Sequence, residues 1–330
     1  MADYVKHLTL SDQFFREQGS RGATGELSTI LNRVTLAGRL IANNVLRAGL
    51  EGRLGKTGGV NVQGEEVKKL DEVSNEIFKE VFDRVPVVAG LASEEMDDPH
   101  LFAHTDAKYV LLHDPLDGSG NVDVDGSMGT IFSVHRRLDV AKPVGLADFL
   151  RRGSEQVAAG YLLYGPATMF VYTVGGPVHG FTLDRSVGSF FLTHPELRFP
   201  QSGGAYSVNE ANQAKWTPAV QGMVQAFREG RTQCGARSAR YVGALVADFH
   251  RTLIQGGVYM YPGEVKKPEG KLRLLFEAAP LAFVAKHAGG LASDGTSEIL
   301  DVTATKLHQR SPLYIGAAQD VAEVVRLLRG

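Results

Sequence analysis

Apolar side chains recur at intervals of three and four residues in four stretches of the chain, and each stretch predicts a helix with one face toward a core. In the first stretch, Leu27, Leu31 and Val34 share a stripe, and Thr24 precedes them as a candidate N-cap. The last stretch should end at Gly289, since glycine is favoured just past a helix C-terminus. The predicted helices cover residues 25–49, 66–83, 241–255 and 272–288.

Unbroken apolar runs predict buried strands at residues 85–89 and 109–113. Residues 157–183 contain no Asp, Glu, Lys or Arg, and this length could span a bilayer. Glycines and prolines interrupt that run, which favours three buried strands separated by turns over the weaker alternative of a membrane span. Because strands and helices alternate irregularly, we expect a layered, mixed α/β (α+β) architecture, with a domain boundary near residues 194–200.

Composition limits the classes of function. The 330 residues are enough for about two domains. The formal charge of −2 favours neither a nucleic-acid partner nor an anionic membrane. The single cysteine, Cys234, excludes an intrachain disulfide and favours a reducing, cytoplasmic compartment. The first ten residues lack the apolar run of a signal peptide, so we expect no secretion.

The motif HDPLDGS is the sharpest local feature. It follows an apolar run, so a buried strand would deliver Asp114 and Asp117 at its C-terminal end. Pro115 stiffens the turn and has no backbone donor, which leaves the Leu116 carbonyl free to join the two carboxylates. Hard cations such as Mg²⁺ take oxygen ligands of this kind, and the backbone amides after Gly118 could cradle a phosphate. The alternative is an aspartate-rich surface turn.

Four further carboxylates strengthen the prediction of a metal site. Glu94 and Glu95 follow a second apolar run, Asp71 lies beside the apolar stripe of a predicted helix, and Glu277 lies on an apolar helix. A carboxylate on a buried stripe is costly unless it is paired or bound to metal. Two or more divalent ions would neutralise such a cluster. The alternative is a nearby lysine or a helix cap.

DPLDGS alone resembles the motif of a wider superfamily of sugar and inositol phosphatases. The longer blocks VKKLDEVSN and GKLRLLFEAAP look like those of class I fructose-1,6-bisphosphatases, and the resemblance runs nearly end to end. The resemblance implies the layered α-β-α-β-α sandwich of the sugar phosphatase superfamily. It also implies an N-terminal domain, residues 1–197, with most metal ligands and an AMP-type pocket, and a C-terminal domain, residues 198–330, that binds the sugar bisphosphate.

The activity implied by the resemblance is Mg²⁺-dependent hydrolysis of D-fructose 1,6-bisphosphate to fructose 6-phosphate and phosphate, by a homotetramer, in gluconeogenesis or the Calvin cycle. Asp71 and Glu95 would orient and deprotonate the attacking water, and Arg273 would lie beside the reacting phosphate. Ser119 and Gly120 would hold the 1-phosphate through backbone amides. Two or more ions, Mg²⁺ or alternatively Mn²⁺, would be held by Glu65, Glu94, Asp114, the Leu116 carbonyl, Asp117 and Glu277. The 6-phosphate pocket would comprise Asn209, Tyr241, Tyr261 and Lys271, with Arg240 reaching a neighbouring subunit's site.

Two positions depart from the family pattern. Glu65 stands where many relatives have aspartate, which lengthens the arm but keeps the ligand type. Gly120 replaces a second serine, and we expect little loss because the contact there is made by the backbone. The chain also lacks the cysteine-bearing regulatory insertion of the chloroplast relatives.

The resemblance further implies inhibition by AMP at the N-terminus of the first predicted helix, where backbone amides and the helix dipole favour a phosphate. That helix leads into the glycine-rich segment 51–66, which we expect to be mobile and to couple the pocket to Glu65. The alternative is that Thr24 only caps the helix and the cations are solvated. The matching residues are Thr24, Gly25, Glu26, Leu27, Ser28 (for a threonine), Lys108, Tyr109 and Arg136.

Three other functions remain as alternatives. A sedoheptulose 1,7-bisphosphatase, or an enzyme with dual activity, would use the same carboxylates. An inositol monophosphatase-like activity is disfavoured, because Tyr241, Tyr261 and Lys271 supply donors for a second phosphate. A non-catalytic, nucleotide-sensing protein is disfavoured because none of the expected carboxylates is missing.

Overall fold

The computed structural model describes residues 8–21, 25–60, 66–201 and 203–330. In these residues the helices are α1 (Leu10–Arg21), α2 (Glu26–Arg47), α3 (Lys69–Phe82), α4 (Pro218–Arg228), α5 (Leu245–Gln255), α6 (Ala279–His287) and α7 (Ala318–Arg329). The strands up to residue 200 are β1 (Lys56–Val60), β2 (Glu66–Lys68), β3 (Val88–Ser93), β4 (His100–Leu101), β5 (Tyr109–Asp117), β6 (Met128–Arg136), β7 (Gln156–Tyr164), β8 (Thr168–Thr173), β9 (Val178–Asp184) and β10 (Ser189–Leu197). The later strands are β11 (Ala205–Ser207), β12 (Ser238–Ala239), β13 (Gly257–Tyr261), β14 (Leu272–Arg273), β15 (Gly290–Ser293), β16 (Arg310–Ser311) and β17 (Leu313–Ala317).

The larger of the two main sheets in the described residues has eight strands in the order β10-β9-β8-β7-β6-β5-β3-β4. All neighbours are antiparallel except β3 and β5, which run parallel and end side by side. α2 contacts β7, and α3 contacts β3 and β5, so these two helices cover one face of the sheet. Every residue of β5 is buried, as expected for a strand with both faces covered.

The smaller main sheet has the order β12-β11-β13-β17-β15 among the described residues. α5 and α6 contact strands of both sheets and fill the space between them, whereas α4 packs on α7, which contacts the outer face of the smaller sheet. The layers are therefore helix, sheet, helix, sheet and helix, which confirms the expected sandwich. The central apolar core lies between the sheets around α5 and α6.

The uncharged run at residues 157–183 forms β7, β8 and most of β9, as predicted. Within the described part of the chain, no helix has both the length and the apolar character needed to cross a membrane.

Two predicted elements in the first third have different bounds. The strand predicted at residues 85–89 is β3, which begins at Val88, because Pro86 lies in a turn that the Val88 amide closes onto the Val85 carbonyl. The helix predicted from residue 66 begins at Lys69. Lys68 is extended, and its amide donates to the Asp71 carboxylate at 3.0 Å, so residues up to Lys68 belong to β2.

Two predicted helices in the last third are also shorter. The helix predicted from residue 241 begins at Leu245, because Gly243 has a φ of +90° that ends any helical path before it. The helix predicted over residues 272–288 is divided into β14, a wide π-helical turn at Leu274–Ala278, and α6. Its predicted end is confirmed, since Ala288 is the C-cap and Gly289 has a φ of +79°.

Candidate active site

The end of β5 presents two buried carboxylates. Asp114 pairs with Ile131 and Asp117 pairs with Gly129 in the β5–β6 ladder, and the register shifts between these two pairs, so an irregularity separates the two aspartates. The Leu116 amide donates to Asp114 at 3.0 Å, and the hydroxyl of Thr130 donates to the Pro115 carbonyl at 2.8 Å. The sequence expectation of two carboxylates at a strand end is therefore confirmed, and the surface-turn alternative is wrong because both aspartates are buried.

Three carboxylates from different elements meet beside this strand end. Glu94 follows β3, and its amide donates to the His113 carbonyl of the parallel neighbour β5 at 3.1 Å. Glu277 lies on the π-helical turn and accepts a hydrogen bond from the Arg273 amide. Glu94, Asp114 and Glu277 are buried, and one ligand oxygen from each lies within 4.8 Å of the others. Carboxylate oxygens in this arrangement fit a hard divalent cation.

Burial and mutual repulsion make this cluster costly when it is ionised. Burial raises the pKa of Asp114 and Glu277 well above the usual range, and the nearby Glu94 raises both further. Burial raises the pKa of Asp117 to about 7, although the Val246 amide, which donates to it at 2.7 Å, lowers it in part. A bound cation would remove this cost by replacing the protons.

A positively charged side chain, that of Arg273, lies beside the three carboxylates. It is buried, and its Nη2 atom lies 3.1 Å from Glu94 Oε1. Its Nη1 atom lies 3.5 Å from the Lys271 carbonyl. A buried guanidinium beside carboxylates of raised pKa is typical of a site that handles an anionic substrate.

Asp71 approaches the same region from the first turn of α3. Burial raises its pKa to about 7, and hydrogen bonds from the Lys68 amide and from Ser119 oppose this in part, while Glu94 adds to it. Asp71 also contributes to the cap of its own helix, which is the alternative role that the sequence analysis gave for a carboxylate on a buried stripe. Glu95 directly follows Glu94, is half-buried, and its amide contacts the Ser93 hydroxyl at 3.3 Å.

The turn after β5 has the backbone expected of a phosphate cradle. Gly118 has a φ of +75°, and a Cβ atom there would lie 2.3 Å from the Ala244 Cβ, so only glycine fits. A short 3-10 helix follows at Ser119–Val124. A Cβ at Gly120 would meet nothing within 4 Å, which explains how glycine and serine can both occupy this position.

The predicted 6-phosphate residues lie on the C-terminal sheet and its loops. Burial raises the pKa of the Tyr241 hydroxyl, and the nearby Asn209 side chain lowers it in part. Asn209 and Tyr261 line the same small cavity. Lys271 is exposed and lies two residues before Arg273. Arg240 is exposed on the same loop as Tyr241. The structure thus brings Asn209, Tyr241 and Tyr261 to one region, and Lys271 lies between Tyr261 and Glu277 along the chain.

The predicted AMP residues also converge. α2 begins directly after Gly25, and Lys108 Nζ lies 2.7 Å from Glu26 Oε1. The Arg136 guanidinium lies 5.3 Å from the Tyr109 ring centre, and these two residues are paired in the β5–β6 ladder. Leu27 and Ser28 continue the first turn of α2 and are half-buried. Thr24, as well as the predicted metal ligand Glu65, lies outside the described residues.

Sequence reasoning missed a buried carboxylate on the C-terminal side. Asp248 is fully buried in α5 and accepts hydrogen bonds from Ser207, Arg251 and the amides of Val242 and Gly243. A signal for it was present, because Asp248 follows the apolar residues of a predicted helix in the same way as Asp71 follows those of α3.

Comparison with known proteins gives one consistent result. The model of "Fructose-1-6-bisphosphatase, N-terminal domain" matches residues 8–195, and that of the C-terminal domain matches residues 199–329. A protein of Trichormus variabilis named fructose-1,6-bisphosphatase class 1 is 49% identical over 96% of this chain and 90% of its own length. One of Oleidesulfovibrio alaskensis with the same name is 48% identical over 98% of this chain and 99% of its own. The crystal structure of Leishmania major fructose-1,6-bisphosphatase in holo form superposes with a TM-score of 0.91 at 36% identity, covering 98% of this chain and 99% of the other.

Proposed function

The chain belongs to the class 1 fructose-1,6-bisphosphatase family, and we propose that it hydrolyses the 1-phosphate of D-fructose 1,6-bisphosphate to fructose 6-phosphate and phosphate. It is thus a phosphoric monoester hydrolase. The observation that carries this proposal is the placement of the buried Glu94–Asp114–Glu277 cluster beside a buried arginine, at the end of the strand that leads into the glycine cradle.

We propose that divalent ions, Mg²⁺ or Mn²⁺, are the cofactor. Three buried carboxylates within 4.8 Å of one another, with two of their pKa values raised by burial, are a donor set that fits a hard cation. Such ions supply activation of water and neutralisation of phosphate charge. The residues proposed to hold two or more of them are Glu65, Glu94, Asp114, the Leu116 carbonyl, Asp117 and Glu277.

The chain's own residues would then carry these parts of the reaction. Asp71 and Glu95 orient the attacking water, and the buried carboxylate of Asp71 takes up its proton. Ser119 and Gly120 hold the 1-phosphate through backbone amides. Arg273 offsets negative charge beside the reacting group. Positioning and charge stabilisation of this kind account for most of the catalysis of phosphoryl transfer.

The choice of substrate would depend on the residues that bind the second phosphate, which is not hydrolysed. We propose that Asn209, Tyr241, Tyr261 and Lys271 bind the 6-phosphate, and that Arg240, exposed on the same loop as Tyr241, reaches the site of a neighbouring subunit in a homotetramer. Residues 1–197 and 198–330 would be the two domains, since the larger sheet ends at Leu197 and the smaller begins at Ala205. The reaction would serve gluconeogenesis or the Calvin cycle.

We also propose that AMP inhibits the enzyme at the N-terminus of α2. The support is the convergence of the first turn of α2 with Lys108, Tyr109 and Arg136, which offers helix amides, two cations and an aromatic ring. Lys108 and Tyr109 lead directly into the strand that ends at Asp114 and Asp117. Binding at one end of β5 could therefore be coupled to the acidic cluster at the other.

The test is phosphate release from fructose 1,6-bisphosphate and from sedoheptulose 1,7-bisphosphate, measured side by side with Mg²⁺ and with EDTA. We expect turnover of the fructose substrate that EDTA abolishes. Faster turnover of the sedoheptulose substrate would instead identify the alternative bisphosphatase. Absence of phosphate release from either substrate with Mg²⁺ and Mn²⁺ would contradict the proposal.

A further inference from the structure

A short loop carries Arg240 and Tyr241 between β12 and α5, and its backbone is held at several consecutive residues. The Arg240 amide donates to the Tyr206 carbonyl at 3.0 Å, and the Arg240 carbonyl accepts from Arg251 Nη2 at 3.1 Å. The amides of Val242 and Gly243 both donate to the Asp248 carboxylate, at 3.0 Å each. The residues on either side of Tyr241 are therefore fixed, although the Tyr241 side chain is 41% exposed.

The carboxylate of Asp248 and the guanidinium of Arg251 form one unit on α5. Arg251 Nη2 lies 2.7 Å from Asp248 Oδ1, and the same nitrogen reaches the Arg240 carbonyl. The pair thus connects the loop on both sides of Tyr241 to a single helix turn. We call Asp248 and Arg251 the α5 clasp.

The clasp also holds the strand that carries the partner of Tyr241. The Ser207 hydroxyl donates to Asp248 Oδ1 at 2.8 Å. Ser207 is the last residue of β11, and the side chain of Asn209, two residues further on, interacts with the Tyr241 side chain. The buried Asp248 carboxylate therefore holds both the strand end before Asn209 and the loop that carries Tyr241.

The same helix turn touches the acidic cluster. The Val246 amide donates to Asp117, and Ala244 packs so closely on Gly118 that no Cβ fits there. The first turn of α5 thus lies between the proposed metal site and the proposed 6-phosphate pocket, and the clasp is on its pocket side.

We propose that Asp248 and Arg251 are positioning residues that set substrate selectivity by holding Tyr241 and Asn209 at the spacing that fits the second phosphate of a sugar bisphosphate. This inference rests on the proposed function, because it takes Tyr241 and Asn209 to contact that phosphate. Preorganised donors lose less entropy on binding than mobile ones, so a loosened loop weakens ground-state binding of the bisphosphate. A substrate without a second phosphate gains nothing from the clasp.

The principal variant is Asp248→Asn. The groups that donate to the Asp248 carboxylate are two backbone amides, a hydroxyl and a guanidinium, so the NH₂ group of asparagine meets donors rather than acceptors. We expect its KM for fructose 1,6-bisphosphate to rise about 10-fold with kcat changed less than about 3-fold, in the range of one lost hydrogen bond to a charged group. We expect kcat/KM for p-nitrophenyl phosphate to change less than about 3-fold.

A comparison in a Tyr241→Phe/Asn209→Ala background separates positioning from general destabilisation. If the clasp acts through Tyr241 and Asn209, Asp248→Asn adds little to that background, and the KM of the combined variant stays near that of Tyr241→Phe/Asn209→Ala. Arg251→Met gives a second comparison that leaves the buried carboxylate in place, for use if Asp248→Asn does not fold. A KM of the combined variant that rises by the full factor measured for Asp248→Asn alone would overturn the proposal, as would equal losses on both substrates.

Glu323→Gln is the matched control. Glu323 is also a buried helix carboxylate paired with an arginine three residues later, and it accepts the Gln233 amide from the chain segment before β12. We expect Glu323→Gln to lower the melting temperature without changing KM. A rise in KM equal to that of Asp248→Asn would overturn the clasp. If Tyr241→Phe leaves KM unchanged, the proposed 6-phosphate pocket itself is contradicted. If Tyr241→Phe raises KM but Asp248→Asn does not, only the clasp is contradicted.

Discussion

The Val246 amide donates a hydrogen bond to the Asp117 carboxylate at 2.7 Å, and this contact joins the first turn of α5 to the end of β5. Asp117 belongs to the larger sheet, while α5 lies between the sheets and also contacts strands of the smaller one. A carboxylate near a helix N-terminus is stabilised by the helix dipole. The contact therefore lowers the pKa of Asp117, which burial raises. It also holds the helix that carries the α5 clasp at the end of β5.

Asp117→Asn is expected to abolish activity while preserving the fold. Asparagine can still accept the Val246 amide through its carbonyl oxygen, but it removes one negative charge from the proposed metal site. Phosphoryl transfer depends on positioned charge, so kcat/KM should fall on the order of 10³-fold, equivalent to about 4 kcal/mol. The measurement is phosphate release at saturating Mg²⁺ with the melting temperature in parallel.

Asp106→Asn is the control for that substitution, because Asp106 is an exposed aspartate near the start of β5. It should retain wild-type turnover. Near-wild-type activity of Asp117→Asn at saturating Mg²⁺ would contradict the assignment of Asp117 as a ligand.

Divalent ions should stabilise the protein more at pH 8.5 than at pH 6.0. Burial raises the pKa of Asp71 and Asp117 to about 7, above the value near 4 of an unfolded aspartate. Without ions, the stability from their bound protons is fully present below pH 4 and is lost as the pH rises through about 7, by up to about 1.4 kcal/mol per pH unit for each group. A metal ion must displace the proton of its proposed ligand Asp117, so its affinity rises with pH.

The measurement is the shift in melting temperature between EDTA and Mg²⁺ at the two pH values. Asp117→Asn should reduce the pH dependence of that shift, because the proton that the ion displaces at this ligand is gone. Equal shifts at both pH values in the wild type would contradict competition between protons and ions at this site.

The parts of the site that sequence could predict are those with local signals. The motif around Asp114 and Asp117 ends an unbroken apolar run, so its position at a strand end follows from the chain alone. The apolar stripe of α2 is also a local signal, because its residues recur at helical spacing within one stretch of the chain. Glu277 was found only through its apolar neighbours and the resemblance, and the π-helical turn that directs it was missed. That turn depends on the bond from the Arg273 amide to the Glu277 carboxylate and on Pro280, which has no amide to donate to the preceding turn.

The start of α5 shows why other features could not be predicted. Residues 241–244 continue the apolar pattern of the helix, so periodicity extends it too far. The loop forms instead because the Val242 and Gly243 amides donate hydrogen bonds to the Asp248 carboxylate. The hydroxyl of Ser207, which is distant in sequence, donates to the same carboxylate. A bond between residues 41 positions apart leaves no periodic signal.

Lys271→Ala should weaken binding of the bisphosphate selectively. Lys271 is exposed and lies two residues from the buried Arg273, which places it at the border of the acidic cluster. Losing a charge-assisted hydrogen bond to the 6-phosphate should raise KM for fructose 1,6-bisphosphate about 10- to 100-fold. Hydrolysis of p-nitrophenyl phosphate should change far less. Lys266→Ala removes an exposed lysine from the preceding loop and should leave KM unaltered. Equal losses on both substrates in Lys271→Ala would argue against the pocket.

AMP should inhibit the enzyme, and Mg²⁺ should weaken that inhibition. Lys108 Nζ lies 2.7 Å from Glu26 Oε1, so an AMP phosphate at the N-terminus of α2 must compete with Glu26 for this cation. Lys108→Ala should therefore raise the AMP concentration that halves activity, by about 10-fold for one lost charged hydrogen bond. Glu26→Gln should lower it, because the competing carboxylate is removed.

The measurement for AMP is a titration of activity at several Mg²⁺ concentrations, with wild type, Lys108→Ala and Glu26→Gln. Lys142→Ala is the control, since Lys142 is an exposed lysine paired with Asp139 outside the proposed pocket. Binding linkage requires AMP to weaken Mg²⁺ binding by the same factor as Mg²⁺ weakens AMP binding. Because β5 connects Lys108 to the carboxylates, that factor should differ from one. Full activity at millimolar AMP and every Mg²⁺ concentration would contradict the regulatory site and leave the catalytic assignment intact, because the two rest on opposite ends of β5.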